Sequence, residues 1–442
     1  MALLALVALC GCESKQLELP TPNDNNPHGG SSSSYLPIEF GVDILNTRAE
    51  IIEGGEGVTL DELGVVGYQY ANLTGSYWST AKSTARPNVF RDTPHALTLA
   101  DGATYYELED GFTTDAEGKR VPTYTWSGNK YAFFAVYPLK KAGMDFMELS
   151  TATEPNTPYV VYTVDRSDEA NMADIMTCAR KDLTATNRYV AFHMVHRLSA
   201  VDVEVCNIYE HSWQTTEEVD GVETTTTHFE NIDIEIVDLL VAFKNLHYAS
   251  SKIYLDDTET FTVEGKEYVG QVPTLAADNT AQYQLIKENT DAVIAVPYKV
   301  DDDAENFQLT ADKDMTMFFI PQEQSDLSVE VTVKFRKKLR DDITPAELPE
   351  DANSYKEVDG SYYIVNYNKD NTYDGEGNLT GSTNAEGYGT ENFYATKTTN
   401  FEQSLEERFR YYVSLNFTSA AVSINIITAA QWTDKDVNHE FE

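Results

Sequence analysis

Residues 409–418 read FRYYVSLNFT. Phe409, Tyr411, Val413, Leu415 and Phe417 fall on one side of an extended chain; Arg410, Tyr412, Ser414, Asn416 and Thr418 fall on the other. Side chains alternate in this way on a strand and not on a helix, so the stretch predicts a strand with one buried face. Just beyond it, AAVSINIIT (420–428) turns Val422, Ile424 and Ile426 inward and Ser423 and Asn425 outward. The same texture returns at YTWSGNKYAFFAVYP (124–138), NRYVAFHMVHRLSAVDVEV (187–205), IDIEIVDLLVAF (232–243), MTMFFIP (315–321) and LSVEVTVKF (327–335), with turn-forming clusters between them. Stretches with a 3.6-residue period are scarce; short helical turns are expected only near 169–181 and 400–408. The fold class that follows is all-β, built as sandwiches.

Two stretches interrupt the strand texture. EHSWQTTEEVDGVETTTTH (210–228) is polar, Thr-rich and acidic, and reads as a loop or a connection between domains. The segment from about 350 to 400 is irregular, and within it only SYYIVNY (361–367) looks like a strand. The length of 442 residues allows two or three domains. We place the folded units at 38–210 and 211–442.

The opening MALLALVALCGC carries an apolar run too short to cross a bilayer, which takes about 20 residues as a helix. It has the size of a signal-peptide core. Leu9, Gly11 and Cys12 are laid out like a bacterial lipobox, with Cys12 the residue to be acylated; Cys10 does not fit, because bulky Leu9 precedes it. No Lys or Arg stands ahead of the run, which departs from that pattern and suggests a start codon placed too late. The expectation is a signal peptide at 1–11 and a lipidated spacer at 12–37. The spacer LELPTPNDNNPHGGSSSSYLP (17–37) is too poor in apolar residues to offset its own ordering entropy. It would hold a folded body away from an outer membrane.

The chain holds 72 acidic and 32 basic residues, a net charge of −40. That sign repels nucleic acid and anionic lipid headgroups, so no nucleic-acid partner is expected. Beyond Cys10 and Cys12 there are two cysteines, Cys178 and Cys206. An exported compartment permits a disulfide between them, but their spacing does not decide it, and two cysteines without a CxxC make no zinc site.

Four stretches together resemble the lipoprotein fimbrillins (Mfa-like and related pilins) of Bacteroidales-type bacteria. They are FGVDILNTRAE (40–50) followed by LGVVGYQY; the aromatic strand YAFFAVYP; ADIMTCARKDLTATNRYVAFHMVHRLSAVDVEV (173–205); and MTMFFIPQ with the closing β pair and the late Trp432. Each motif is short, and their order carries the likeness over nearly the whole chain. The resemblance implies two tandem transthyretin-like β-sandwich domains and export to the outer membrane as a lipoprotein. It also implies cleavage after an arginine near the first strand and assembly into a fimbrium by strand exchange with other pilin subunits. On that reading Arg48 and Ala49 flank the cut, FGVDIL is removed with the lipid, and the closing VSINIITAAQW is the donor. The alternative for Arg48 is an ordinary surface arginine at a strand end. The physics is general: a sheet missing a strand exposes unpaired backbone groups and an apolar slot, and a head-to-tail donor fills both and propagates a fibre.

Catalytic patterns are weak. His193 and His196 lie three apart on a strand and point to opposite faces. No HExxH, GxSxG, Walker-type or GxGxxG pattern stands in a suitable context. Asp370–Gly375 begins like an EF-hand loop, but Thr372 and Gly381 stand at its third and twelfth positions. No metal, cofactor or catalytic residue is assigned. The tyrosines Tyr355, Tyr362, Tyr363, Tyr367 and Tyr373 form a candidate contact loop for a host or bacterial surface glycan or protein; the competing reading has them covering the sheet beneath. Two alternatives to a fimbrial subunit stay open: a glycan-binding surface lipoprotein that never polymerises, and a β-sandwich glycoside hydrolase with paired carboxylates.

Overall fold

The computed structural model describes residues 36–44, 48–49, 52–53, 63–86, 89, 95–99, 106–108, 111–139, 147–150, 156–187, 189–300, 306–310, 315–323, 326–339, 354–366, 369–373, 379–384, 387–401, 404–419 and 422–431. The chain is all-β. Its first part is a ladder of seven strands that closes on itself. In order they are Glu39–Ile44, Tyr189–His196, Met176–Leu183, Lys130–Tyr137, Gly64–Tyr70, His95–Leu99 and Tyr106–Leu108, which returns to the first.

The strand Lys130–Tyr137, KYAFFAVY, is apolar without alternation because both of its faces are covered. Tyr131, Phe133 and Ala135 join a core inside the ring with Leu63, Val65, Val190 and Phe192. Ala132, Phe134 and Val136 face the other way, into a much larger core shared with the rest of the chain.

That larger core lies mainly between two further sheets. In one, Thr280–Ile286, Asp233–Lys244, Ser328–Lys338, Ser361–Ile364 and Tyr355–Val358 follow one another, with Ile294–Val296 and Asn392–Asn400 paired off this path. In the other, Phe307–Gln308, Ser199–Ile208, Phe409–Thr418 and Val422–Gln431 run side by side, and Met317–Phe319 also pairs with Ser199–Ile208. Aromatic contacts tie the sheets face to face: Phe335 meets Phe417 at 4.9 Å and Phe243 meets Phe319 at 4.8 Å between ring centroids. Tyr411, Val413, Leu415 and Phe417 are all buried, as the alternation predicts. The opposite face is not simply solvated, because Arg410 and Ser414 are buried too.

The 210–228 segment, expected as a loop, is a hairpin. Glu210–Val219 and Val222–Asn231 pair along their whole length. The reversal is Asp220-Gly221, with φ of 54° and 77°, the pair of left-handed residues that a type I′ turn requires. Threonine suits a pleated strand through its branched Cβ, but its hydroxyl hides the strand from a reading based on burial. The 350–400 region is likewise more ordered than its composition suggests. Tyr355–Val358 and Ser361–Ile364 form a hairpin around Asp359-Gly360, and Asn392–Asn400 is a full strand on Ser328–Lys338. Near 169–181 the helical turn is limited to Glu169–Asn171, and Met176–Leu183 is strand; the described residues of 400–408 hold no helix. Segments on either side of 210/211 share sheets: Tyr159–Thr163 pairs with Tyr248–Tyr254, and Ser199–Ile208 runs parallel to Phe409–Thr418.

Two buried polar groups lock these parts together. Arg197, with no exposed surface, donates from Nε to Glu407 (2.7 Å) and from Nη1 to the Thr177 hydroxyl (2.9 Å) and the Tyr254 carbonyl (2.7 Å). Thr177 belongs to the closed ring, while Tyr254 and Glu407 lie in the second part of the chain. Gly270 makes room for this arginine: its φ is 70°, and a Cβ there would meet Nη2 at 2.5 Å. Asp202 accepts from the hydroxyls of Thr310 (2.9 Å) and Thr316 (2.7 Å) and from the guanidinium of Arg410. Removing this carboxylate takes from the buried guanidinium of Arg410 the charged partner it has in Asp202. Asp202→Ala is therefore expected to lower unfolding stability by about 3–5 kcal/mol, read as a shift in the urea midpoint at unchanged slope. A change below about 1 kcal/mol, the range of an exposed pair, contradicts this role.

Candidate functional site

The first strand has an unusual seat. Glu39–Ile44 runs parallel to Tyr189–His196 through six residue pairs, from Glu39↔Tyr189 to Ile44↔Met194. On its other side the described pairing is Phe40↔Tyr106. The chain is held before it enters the strand: Pro37 bridges to Thr125, the Trp126 N–H donates to the Leu36 carbonyl (3.0 Å), and the Ile38 N–H donates to the Tyr124 carbonyl (3.3 Å).

Phe40 fills the ring. It is fully buried, stacked on Phe192 (5.6 Å, 5°) and edge-on to Phe133 (5.5 Å, 86°). Trp126 and Tyr131 continue this aromatic wall, with Trp126 5.9 Å from Phe133 and Tyr131 5.8 Å from it. The Tyr131 hydroxyl is itself fixed, accepting from the Ser127 N–H at 2.8 Å. Burying a phenylalanine contributes about 2–3 kcal/mol, so the seat holds its strand by side chain as well as by ladder. The sequence pointed to Phe40 but not to Trp126, Phe133 and Phe192; the alternating aromatics of YAFFAVY and VAFHMV were the available signal.

Arg48 and Ala49 follow shortly after the strand and pair by backbone with Glu53 and Ile52. Cys10 and Cys12, Tyr367 and Trp432 lie outside the described residues, and of Tyr373 only the backbone, in Lys369–Tyr373, is described. The other three tyrosines share one hairpin. Tyr355 and the Nε2 of His211 are bonded at 2.9 Å, Tyr362 donates to Glu357 at 3.2 Å, and Tyr363 donates to Glu235 at 3.0 Å. Tyr363 is 6% exposed, and burial, with the Glu235 carboxylate beside it, pushes its phenol up to about 12. Tyr355 and Tyr362 pack on the large core. The expected donor Val422–Gln431 lies on Phe409–Thr418 as the last strand of its sheet.

Cys178 and Cys206 are both free. Burial pushes the Cys178 thiol up to about 11 and raises that of Cys206; the thiolate is the nucleophile, so neither is activated at neutral pH. The Nδ1 of buried His196 bonds Asp174 at 2.8 Å, on the opposite side of its strand from His193. Among the described residues no group of three or more His, Cys, Asp or Glu is arranged to hold a metal.

No protein-family profile and no curated protein matches the chain. Among solved structures it is similar to a fimbrial protein from Bacteroides vulgatus ATCC 8482, with 14% identity over 90% of this chain and 99% of that one and a TM-score of 0.48. It is also similar to a candidate cell adhesion protein from Bacteroides ovatus ATCC 8483, with 11% identity, 91% and 100% coverage, and a TM-score of 0.42.

Phe40→Ala tests the seat. It should cost about 3–5 kcal/mol, the range for emptying a buried phenylalanine, and the loss should be absorbed locally. Hydrogen exchange is expected to speed up in Tyr189–His196 while the amides of Asp233–Lys244 keep their protection. Equal acceleration in both strands would show that the first strand supports the whole molecule.

Proposed function

We propose that this protein is a subunit of a cell-surface fimbria, acting in adhesion. It is exported to the outer membrane as a lipoprotein acylated on Cys12 and assembled by strand exchange with other pilin subunits. One observation carries the reading: a terminal strand, Glu39–Ile44, fills an internal aromatic slot and is followed a few residues later by Arg48. Cleavage between Arg48 and Ala49 frees that strand together with everything before it, the acylated cysteine included.

Departure of the strand leaves the N–H and C=O groups along one side of Tyr189–His196 unpaired and opens the slot lined by Trp126, Phe133 and Phe192. Both losses are reversed by an incoming strand with bulky apolar residues at alternate positions. Val422–Gln431 is the donor we favour. Val422, Ile424 and Ile426 supply the alternation, and an edge strand has only one ladder to give up. Donation exchanges one ladder for another, so the gain comes from filling an otherwise empty slot. Because donor and acceptor lie on different parts of the chain, the contact is heterologous and continues into a fibre.

The test is the N-terminus of material sheared from cells, read by mass spectrometry, alongside the Arg48→Ala variant. A mature chain beginning at Ala49, and a variant that stays cell-bound, acylated at Cys12 and monomeric, are the expected results. A wild-type protein that keeps residues 12–48 in the assembled fibre sinks the strand-release step.

A further inference from the structure

A second recess lies away from the strand seat, a cleft of about 420 Å³ between the turn after the short helix Trp78–Ala81 and the sheet that holds Tyr159 and Tyr254. That volume is within the range of small-molecule sites, roughly 300–1,000 Å³.

One wall is aromatic. Tyr159 and Tyr254 are direct cross-strand partners with rings 5.5 Å apart, and Phe261 stacks on Tyr254 at 3.9 Å and 21°. All three rings are partly exposed. Phe261 arrives from a separate hairpin, Thr260–Val263 with Lys266–Val269, so the row of rings is assembled by tertiary structure.

The other wall is polar and fixed. Glu259 is 9% exposed and accepts from the ammonium of Lys82 and from the Thr157 hydroxyl at 3.0 Å. Asn156 is exposed, and its backbone is pinned: φ is 83°, and its N–H donates to the Lys82 carbonyl at 2.7 Å.

Charge narrows the ligand class. Lys82 balances Glu259, and Lys252 stands over the Tyr159 ring at 4.8 Å. A cationic ligand would meet cations already in place. An anion would find Lys82 committed and the whole chain strongly negative. A purely apolar ligand would cut the Asn156 amide, and the donor and acceptor sites that Lys82 and Glu259 do not spend on each other, off from water, at a cost of about 1–3 kcal/mol for each group left unsatisfied. A neutral ring with an apolar C–H face and a rim of hydroxyls satisfies both walls.

We propose that this cleft binds a neutral pyranose unit of a glycan, its C–H face against the Tyr254 and Phe261 wall and its hydroxyls on Asn156, Lys82 and Glu259. The site is independent of strand exchange and would serve a fixed or an assembled subunit alike.

The experiment is saturation-transfer NMR on the intact chain with lactose, N,N′-diacetylchitobiose and mannobiose as probes. Saturation transfer to the ring protons of at least one disaccharide is expected. Phe261→Ala should weaken it about tenfold by removing an aromatic contact. Asn156→Gly removes the amide while tolerating the left-handed backbone, and should weaken it as well; it decides the matter if Phe261→Ala fails to fold. Absence of transfer from all three probes, or transfer unchanged in the folded variants, overturns the site. Fibre assembly, measured separately on the same variants, should be unaffected, so a failure here is distinct from a failure of the fimbrial reading.

Discussion

Two cores share the neighbouring strands Gly64–Tyr70 and Lys130–Tyr137, the first with Val65 in the ring core and Val66 and Tyr68 in the large one. Lys130–Tyr137 turns Tyr131, Phe133 and Ala135 into the closed ring and Ala132, Phe134 and Val136 into the large core. A strand covered on both faces cannot slip its register without moving two sets of side chains at once. Everything else is arranged around that constraint. The ring closes over one face, the two large sheets and their neighbours cover the other, and Arg197 ties the margins by reaching from Thr177 to Tyr254 and Glu407.

Ile38 and Phe40 belong to the ring core. Phe40 therefore draws its burial from the ring core, and stability can differ from one part of a fold to another. Val422–Gln431 differs in kind. Ile424 sits in the large core, and Val422 and Ile426 pack against it.

Much of this was legible in the sequence where burial and period agree. The alternation in 409–418 is a strand because Tyr411, Val413, Leu415 and Phe417 all face the core. Where polar groups are buried the same rule misleads: Arg410 and Ser414 look solvated by pattern, but Arg410 is drawn inside by Asp202. The hairpin at 210–231 carried its signal in Asp220-Gly221 and in β-branched threonines, with no hydrophobic face to draw attention to it. The seat of the first strand was half visible. Phe40 and Arg48 could be picked out, but the partner strand Tyr189–His196 lies far along the chain, and its parallel register is decided by packing that no local pattern encodes. The aromatic cleft was not visible at all, since Tyr159, Tyr254 and Phe261 come from separate segments.

The distribution of cations adds a last constraint. The chain has 32 basic residues against 72 acidic ones, and several of the basic ones are committed to structure. Arg166 donates to the carbonyls of Leu246, Tyr248, Thr280 and Asp278, Arg197 is enclosed, and Arg410 is paired inside. Between residues 16 and 81 a single Lys or Arg remains, Arg48. It follows the end of the first strand by four residues. A net charge of −40 makes copies of the chain repel one another, but ions screen that repulsion beyond about 8 Å at physiological salt. Strand pairing acts at hydrogen-bond distance, where the ladder and the apolar slot dominate. Net charge can therefore discourage unspecific association without preventing contacts made at hydrogen-bond distance.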